Sequence, residues 1–357
     1  MKKVSHYVLG TMSGTSLDGL DLALCHFVRN ESGWEYTVMK AVTYSYTDEL
    51  RERLATAMEL SAYDFLMLDV DLARSMAQMI CSFLADQKIK PDFIASHGHT
   101  TFHQPAGGLT SQIGSGAVIA AHTGITTVCD FRAVDVALGG QGAPLVPIGD
   151  ELLFGQYDAC LNLGGFSNIS FRKEGKRVAF DLSPCNMALN YLANKLEMPF
   201  DRDGEVARKG KVDETLLDEL NGLDFYRQAG AKSLGKEWFD GVFRPCLDNS
   251  GISVVDKLRT LVEHIAVQLD FSSRGREGET MLITGGGARN IFLIERLREI
   301  GSKKIIIPDV LTIDFKEAII FAFLGVLRIC GEINCLKDVT GARIDNCGGA
   351  IYRGMSV

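Results

Sequence analysis

The residues best suited to chemistry sit in glycine-rich segments that follow apolar runs. The segment Gly10-Thr11-Met12-Ser13-Gly14-Thr15-Ser16-Leu17-Asp18-Gly19 sets hydroxyls beside backbone N–H donors, and its glycines permit close approach and positive φ. A concave set of donors of this kind suits phosphate oxygens. No lysine follows, and a strand pattern rather than a helix comes next, so it is not a P-loop of the GxxxxGK[ST] type. The same composition would also serve a plain hairpin turn. Two further apolar runs end in glycine turns, Asn162-Leu163-Gly164-Gly165 and Thr284-Gly285-Gly286-Gly287-Ala288-Arg289-Asn290, the latter opening a helix pattern. Bare glycine backbone lets a flat base or a phosphate come close, and a helix start favours anions. Each is compatible with a tight turn alone, but three in one chain suggest a nucleotide held between two lobes.

Four other features could act on a substrate. Asp181 ends an apolar run just before Ser183-Pro184, where a carboxylate could face a cleft and accept a proton, or could cap the following helix. Arg132, in Asp130-Phe131-Arg132, could neutralise charge on a transferring phosphoryl group, or pair with a neighbouring Asp to close a loop. His97 and His99, on either side of Gly98, could chelate a metal if the strand continued through them. Gly98 is expected to end that strand, and no carboxylate or cysteine nearby completes a site, so a polar contact is favoured over a metal. Glu317 could bind a sugar or lie as a helix surface charge.

These residues must be positioned by a mixed α/β chain. Tyr7–Leu9 and Leu20–Phe27 read as a hairpin, with Glu35–Tyr44 as a third strand. Helical periodicity covers Asp48–Leu60 and Asp64–Asp86. Further strands are expected at Phe93–Ala95, Thr126–Cys129, Ala159–Leu163, Val178–Asp181, Met281–Thr284 and Lys304–Ile307. Helices are expected at Pro184–Leu196, Val254–Phe271 and Phe292–Ile300, with Ser272–Thr280 as a surface loop. The apolar run Ala318–Ile329 is too short for a membrane span and reads as a buried helix.

With 357 residues the chain exceeds a single core, so two domains are expected. A net charge of -8 disfavours a nucleic-acid surface, and 46% hydrophobic with 23% charged residues is ordinary for a soluble protein. Nine cysteines with no Cys-x-x-Cys pair argue against a secreted disulfide framework and for a reducing cytoplasm. Met1-Lys2-Lys3 opens like a signal peptide, but His6 and the Gly10–Ser16 stretch break any apolar core of one.

Taken in order, the segments Met12–Gly19, His97-Gly98, Gln112-Ile113-Gly114, Asp130-Phe131-Arg132, Ala137–Pro147, Asn162–Gly165, Lys232–Glu237, Gly285–Asn290, Glu317-Ala318 and Val339–Ala342 resemble the anhydro-N-acetylmuramic acid kinases over essentially the whole chain. The resemblance implies an α/β fold of the actin and hexokinase type, with two ribonuclease-H-like lobes and an interlobe cleft. Residues 1–130 would form the first lobe, rejoined by a C-terminal helix at about 318–357, and 131–317 the second. It implies ATP and Mg²⁺, opening of a 1,6-anhydro sugar ring by water and phosphorylation of O6, a homodimer, and no nucleic-acid or membrane partner. It assigns Gly14, Thr15, Ser16, Leu17, Asp18, Gly19, Leu20 and Asp21 to a phosphate loop. Gly164, Gly165, Gly285, Gly286, Gly287 and Asn290 would complete the nucleotide site. Asp181 would be the base, with Arg132, His97, Asn186 and Glu317 toward the substrate and no assigned protein ligand for the metal. Around the base the family pattern is Asp-Thr-Gly-Pro-x-Asn with an acid following; here Ser183 stands for the glycine and Asn190 for the acid. Ser183 is therefore expected to narrow the pocket or shift the turn. Ala231 stands where the family often has proline. A kinase for another amino sugar and a non-catalytic ATP-binding module are the competing readings.

Overall fold

The computed structural model describes residues 4–14, 17–228, 232–272, 278–301 and 303–355. Met1 to Lys3, Thr15, Ser16, Ala231 and most of the expected loop after Ser272 lie outside the described residues. Two compact units form, one from residues 1–154 with 315–357 and one from 155–314.

The first unit opens with a meander, β1 (Val4–Ser13), β2 (Gly19–Asn30) and β3 (Gly33–Ser45), all antiparallel. β4 (Phe93–Gln104) then joins β1 in parallel, β5 (Leu109–Ile113) folds back on β4, and β6 (Thr127–Cys129) joins β4 in parallel. The second unit repeats the scheme. β7 (Ala159–Leu163), β8 (Phe166–Lys173) and β9 (Lys176–Pro184) form the meander, and β10 (Thr280–Thr284) and β11 (Lys304–Ile306) follow in parallel. With β5 set aside as a hairpin on β4, the first sheet runs β3-β2-β1-β4-β6 and the second β9-β8-β7-β10-β11, the same order in both, as expected of ribonuclease-H-like lobes. In the first sheet β12 (Ala350–Tyr352) adds an antiparallel edge to β6.

The helix Ala62–Leu84 covers the first sheet because Leu68, Leu72, Met76, Ile80 and Phe83 recur at helical spacing and are all buried. Ser61 starts it by accepting a hydrogen bond from the Asp64 N–H. In the second unit Leu258, Leu261, Val262, Ile265 and Leu269 of the helix Val254–Ser272 play the same part. Each such side chain contributes about 1.5–3 kcal/mol by leaving water. The helix Val310–Cys330 is buried on all sides from Ala318 to Leu327, as the apolar run predicts. It lies so close to β1 that a Cβ on Gly10 would stand 2.0 Å from the Ala318 carbonyl oxygen. Gly10 is thus a packing residue, not part of a phosphate loop.

The first unit extends past residue 130, the expected boundary, because Asp135 stitches the following segment to the C-terminal region. Its fully buried carboxylate accepts from Gly142 N (2.8 Å), Thr340 Oγ1 (2.8 Å), Asn346 Nδ2 (2.9 Å) and Cys335 Sγ (3.0 Å). A Cβ on Gly140 would stand 2.2 Å from that carboxylate, so the glycine there is required for closure.

Candidate active site

In the second unit two of the glycine turns meet. Pairing of Thr284 with Asn162 brings the ends of β10 and β7 side by side. Gly285 has a φ of 81°, and a Cβ there would stand 2.4 Å from Asn162 Oδ1; on Gly287 it would stand 2.7 Å from Leu163 Cβ. These two glycines let the turns close on each other. Gly165 and Gly286 have another character: the nearest atom to an added Cβ is 3.9 Å away at Gly165 and 3.4 Å at Gly286, so their backbone is bare. Asn186 clamps the arrangement, its N–H on the Gly164 carbonyl (3.0 Å) and its Nδ2 on that of Leu163 (2.9 Å). Asn290 accepts the Leu293 N–H (3.0 Å) and caps the helix Ile291–Ile300.

Asp181 lies within β9, whose strand runs on to Pro184; the helix starts only at Asn186. The carboxylate is therefore no helix cap, and Pro184 closes the strand instead of opening the helix. Asp181 Oδ2 accepts from Leu234 N (2.8 Å), while Asp181 N donates to Lys232 O (2.9 Å). Burial pushes the carboxyl up to about 6, and the Leu234 N–H opposes part of that rise. The segment 232–237 was legible as family-like, but its service to Asp181 is a tertiary contact with no local signal. Ser183 is fully buried, and its hydroxyl lies 3.0 Å from that of Ser167, its register partner on β8, beside a shift in the register of the two strands.

In the first unit the loop between β1 and β2 is shorter than the resemblance implies. Gly19, Leu20 and Asp21 already belong to β2, and Leu20 is a core residue. Among the described residues, Gly14, Leu17 and Asp18 form the connection, with Leu17 at a φ of 61° and its N–H on Gly14 O. Ser13, just before it, receives the Tyr46 hydroxyl (2.7 Å) and lies 3.1 Å from His99 Nδ1.

β4 continues through Gly98, which adopts a φ of 74°, so the expected strand end is a bend within a longer strand. The two histidines nevertheless part company, His99 toward Ser13 and His97 toward Arg132. No group of three or more metal-ligating side chains is found among the described residues. His97 Nδ1 donates to the Gly98 carbonyl (2.9 Å), which leaves Nε2 to accept from Arg132 Nε (3.0 Å) and Nη2 (2.9 Å). Arg132 Nη1 binds the Gly142 carbonyl (2.6 Å). Arg132 thus hydrogen-bonds His97 and the loop, not Asp130 or Asp135. Burial, then the Arg132 charge, hold His97 well below the usual histidine range, so it is neutral. Burial brings Arg132 down to about 10, while Glu317 pulls it back up; it remains a cation at neutral pH. Glu317 keeps accessible surface on its helix, yet the surrounding protein raises its carboxyl, Arg132 lowers it and Asp21 raises it. Its neighbour Lys316 forms a buried ion pair with Asp150 (2.7 Å), which composition and spacing gave no means to find.

The family model described as "Anhydro-N-acetylmuramic acid kinase" matches residues 6–354. Relatives of that name in Sulfurovum sp. and Gloeobacter violaceus are each 35% identical, over 96% and 94% of this chain and 98% and 95% of theirs. One in Pseudomonas putida is 36% identical over 96% of this chain and 98% of its own. Among solved structures there is a loose likeness, TM-score 0.41 at 11% identity, to the activator of the 2-hydroxyisocaproyl-CoA dehydratase from Clostridium difficile with bound ADPNP, covering 91% of this chain and 97% of that one. The end-to-end match with these kinases means that this chain, a phosphotransferase, belongs to the anhydro-N-acetylmuramic acid kinase family.

Proposed function

We propose that the enzyme opens 1,6-anhydro-N-acetylmuramic acid with water and transfers the γ-phosphoryl group of ATP to the O6 released, giving N-acetylmuramic acid 6-phosphate and ADP. The observation that carries this reading is Asp181: a carboxyl brought to about 6, oriented by one backbone N–H, in the same unit as the glycine turns. Such a group is mostly ionised at neutral pH yet basic enough to take a proton. Asp181 would accept a proton from water as that water attacks the anomeric carbon. The C1–O6 bond breaks, and O6 becomes the nucleophile toward phosphorus.

Phosphoryl transfer asks mainly for positioning and charge neutralisation. The bare backbone at Gly165 and Gly286 fits close approach of a nucleotide, and Gly14 and Asp18 remain the phosphate-loop residues of this reading. Arg132, aimed by neutral His97, would meet the anionic charge of phosphate or substrate. Asp21 and Glu317 are hard oxygen donors; burial raises the Glu317 carboxyl against the pull of Arg132, the nearby Asp21 charge adds to the rise, and such a pair of carboxylates fits a divalent cation. Mg²⁺, held there together with phosphate oxygens, would supply neutralisation of the triphosphate.

A cytoplasmic location accords with nine free cysteines. No helix among the described residues is long and apolar enough to cross a membrane. A homodimer is the proposed assembly, decided by light scattering on the eluting protein. The reaction is tested by incubating the enzyme with ATP and the anhydro sugar and weighing the product. A mass equal to sugar plus water plus phosphate is expected; a phosphorylated sugar with its anhydro ring intact would sink the ring-opening step.

A further inference from the structure

The backbone that grips Asp181 lies on an irregular segment, and one aromatic ring holds that segment. Lys232 offers its carbonyl to the Asp181 N–H (2.9 Å), and Leu234 gives its N–H to Asp181 Oδ2 (2.8 Å). Residues 232–235 belong to no helix or strand, so regular backbone pairing does not fix them. Phe225 ties them at both ends. The Lys232 ammonium stands 4.4 Å from the centroid of the Phe225 ring and donates to the Phe225 carbonyl (3.1 Å). Beyond Gly235, where the short helix Lys236–Trp238 starts, the Trp238 ring packs on the same phenyl ring at 5.4 Å.

Phe225 is itself set firmly in the core. It is buried, and Tyr226, edge-on to it at 5.3 Å, gives its hydroxyl proton to His264 Nε2 (2.8 Å). His264 is fully buried, and desolvation holds it at about 3, hence neutral. Its Nδ1 donates to Asn221 Oδ1 (2.7 Å), which leaves Nε2 as the acceptor that Tyr226 needs. A cation over an aromatic face is attracted more strongly when partly shielded from water. Lys232 is half-buried, and burial lowers its ammonium from the usual lysine range.

We propose that Lys232 is a positioning residue for Asp181: its charge, held over the Phe225 ring, fixes the backbone that brackets Asp181. The inference deepens the proposed reaction, in which Asp181 is the base, and rests on it. A hydrogen bond to the charged form of a carboxyl lowers its pKa. If the Leu234 N–H drifts away, burial acts unopposed and the carboxyl rises above about 6. On its other side Asp181 has Asn168 of β8 in register, which bears no charge. The bracketing segment brings Lys232, whose ammonium is engaged on Phe225, and no side-chain charge among the described residues contributes to the Asp181 shift. The pH at which the base ionises therefore reports the Lys232 contact.

The test follows the Asp181 carboxyl in the full-length enzyme by carbon-13 NMR of labelled aspartate, with Asp181→Asn to assign the signal. It compares the parent with Lys232→Met, Lys232→Arg and Phe225→Leu. No substrate is present, so the midpoints do not depend on which sugar is phosphorylated. In Lys232→Met the midpoint should rise by about one pH unit, and kcat/KM should fall about tenfold at pH 5.5 yet converge on the parent above pH 8. Lys232→Arg keeps a cation able to stack on the ring and should restore both. Phe225→Leu removes the aromatic face and should shift the midpoint upward as well. Parent-like midpoints in Lys232→Met and Phe225→Leu overturn the assignment, even if kcat/KM has dropped equally at every pH. So does a Lys232→Arg midpoint displaced as far as that of Lys232→Met. A parent enzyme inactive on the anhydro sugar would sink the proposed reaction and leave the NMR midpoints to judge Lys232.

Discussion

Replacing Asp181 with Asn should abolish turnover and stabilise the fold at the same time, and both effects should follow pH. The folded carboxyl titrates at about 6 against 3.8 for the free group. Between those values the folded state binds the extra proton, so stability falls as pH rises from about 4 to 6 and stays lowered above that. At 1.36 kcal/mol per pH unit the ionised group costs the fold about 2–3 kcal/mol at pH 8. Asn can still accept the Leu234 N–H through its carbonyl oxygen but never carries the charge. The variant should therefore melt several degrees above the parent enzyme at pH 8, and the gap should shrink to about a third at pH 4.5. Turnover should drop about 10²–10⁴-fold. In the parent enzyme, kcat/KM should rise about tenfold per pH unit below 6 and level off above 7. Calorimetric melting of both proteins across pH, with coupled ADP release, reads all of this. A melting gap independent of pH, or an acidic limb centred near pH 4, would falsify the argument that burial has raised this carboxyl.

Other predictions follow from particular contacts. His97→Leu removes the acceptor that aims Arg132, so kcat/KM should fall about tenfold, while His97→Gln, which returns an oxygen near the Nε2 position, should restore part of it; equal activity in all three proteins would show that the contact is idle. Asp135→Ala leaves the buried donors of Gly142, Cys335 and Asn346 without an acceptor, while Thr340 keeps the Leu336 carbonyl, and should lower stability by about 3 kcal/mol or more, read as a shifted urea midpoint. Gly165→Ala meets no protein atom closer than 3.9 Å and should fold normally, yet raise the KM for ATP because its methyl occupies bare backbone surface. Gly285→Ala, with Asn162 Oδ1 2.4 Å away and a φ of 81°, should instead lose stability as well as nucleotide affinity, and a parent-like melting point would contradict the packing described.

Local patterns determined much of this protein. Alternating apolar strands, helical stripes such as Leu68-Leu72-Met76-Ile80, and glycine turns after strands depend on near neighbours in the chain, so periodicity alone exposes them. The ordered motifs added the family, and Asp181 could be singled out as a carboxylate late in a strand. Only the tertiary structure decided what each of these residues meets. The raised pKa of Asp181 depends on burial and on Leu234, 53 positions away. The neutral state of His97 depends on burial and then on Arg132, 35 positions away, and the extent of the first unit on Asp135 reaching residues 200 or more positions downstream. Ser183 looked like an intrusion because its direction could not be read from its neighbours; pairing of β8 with β9 turns it toward Ser167. Desolvation and long-range hydrogen bonding are properties of the assembled core, and no spacing of residue types along a chain encodes them in legible form.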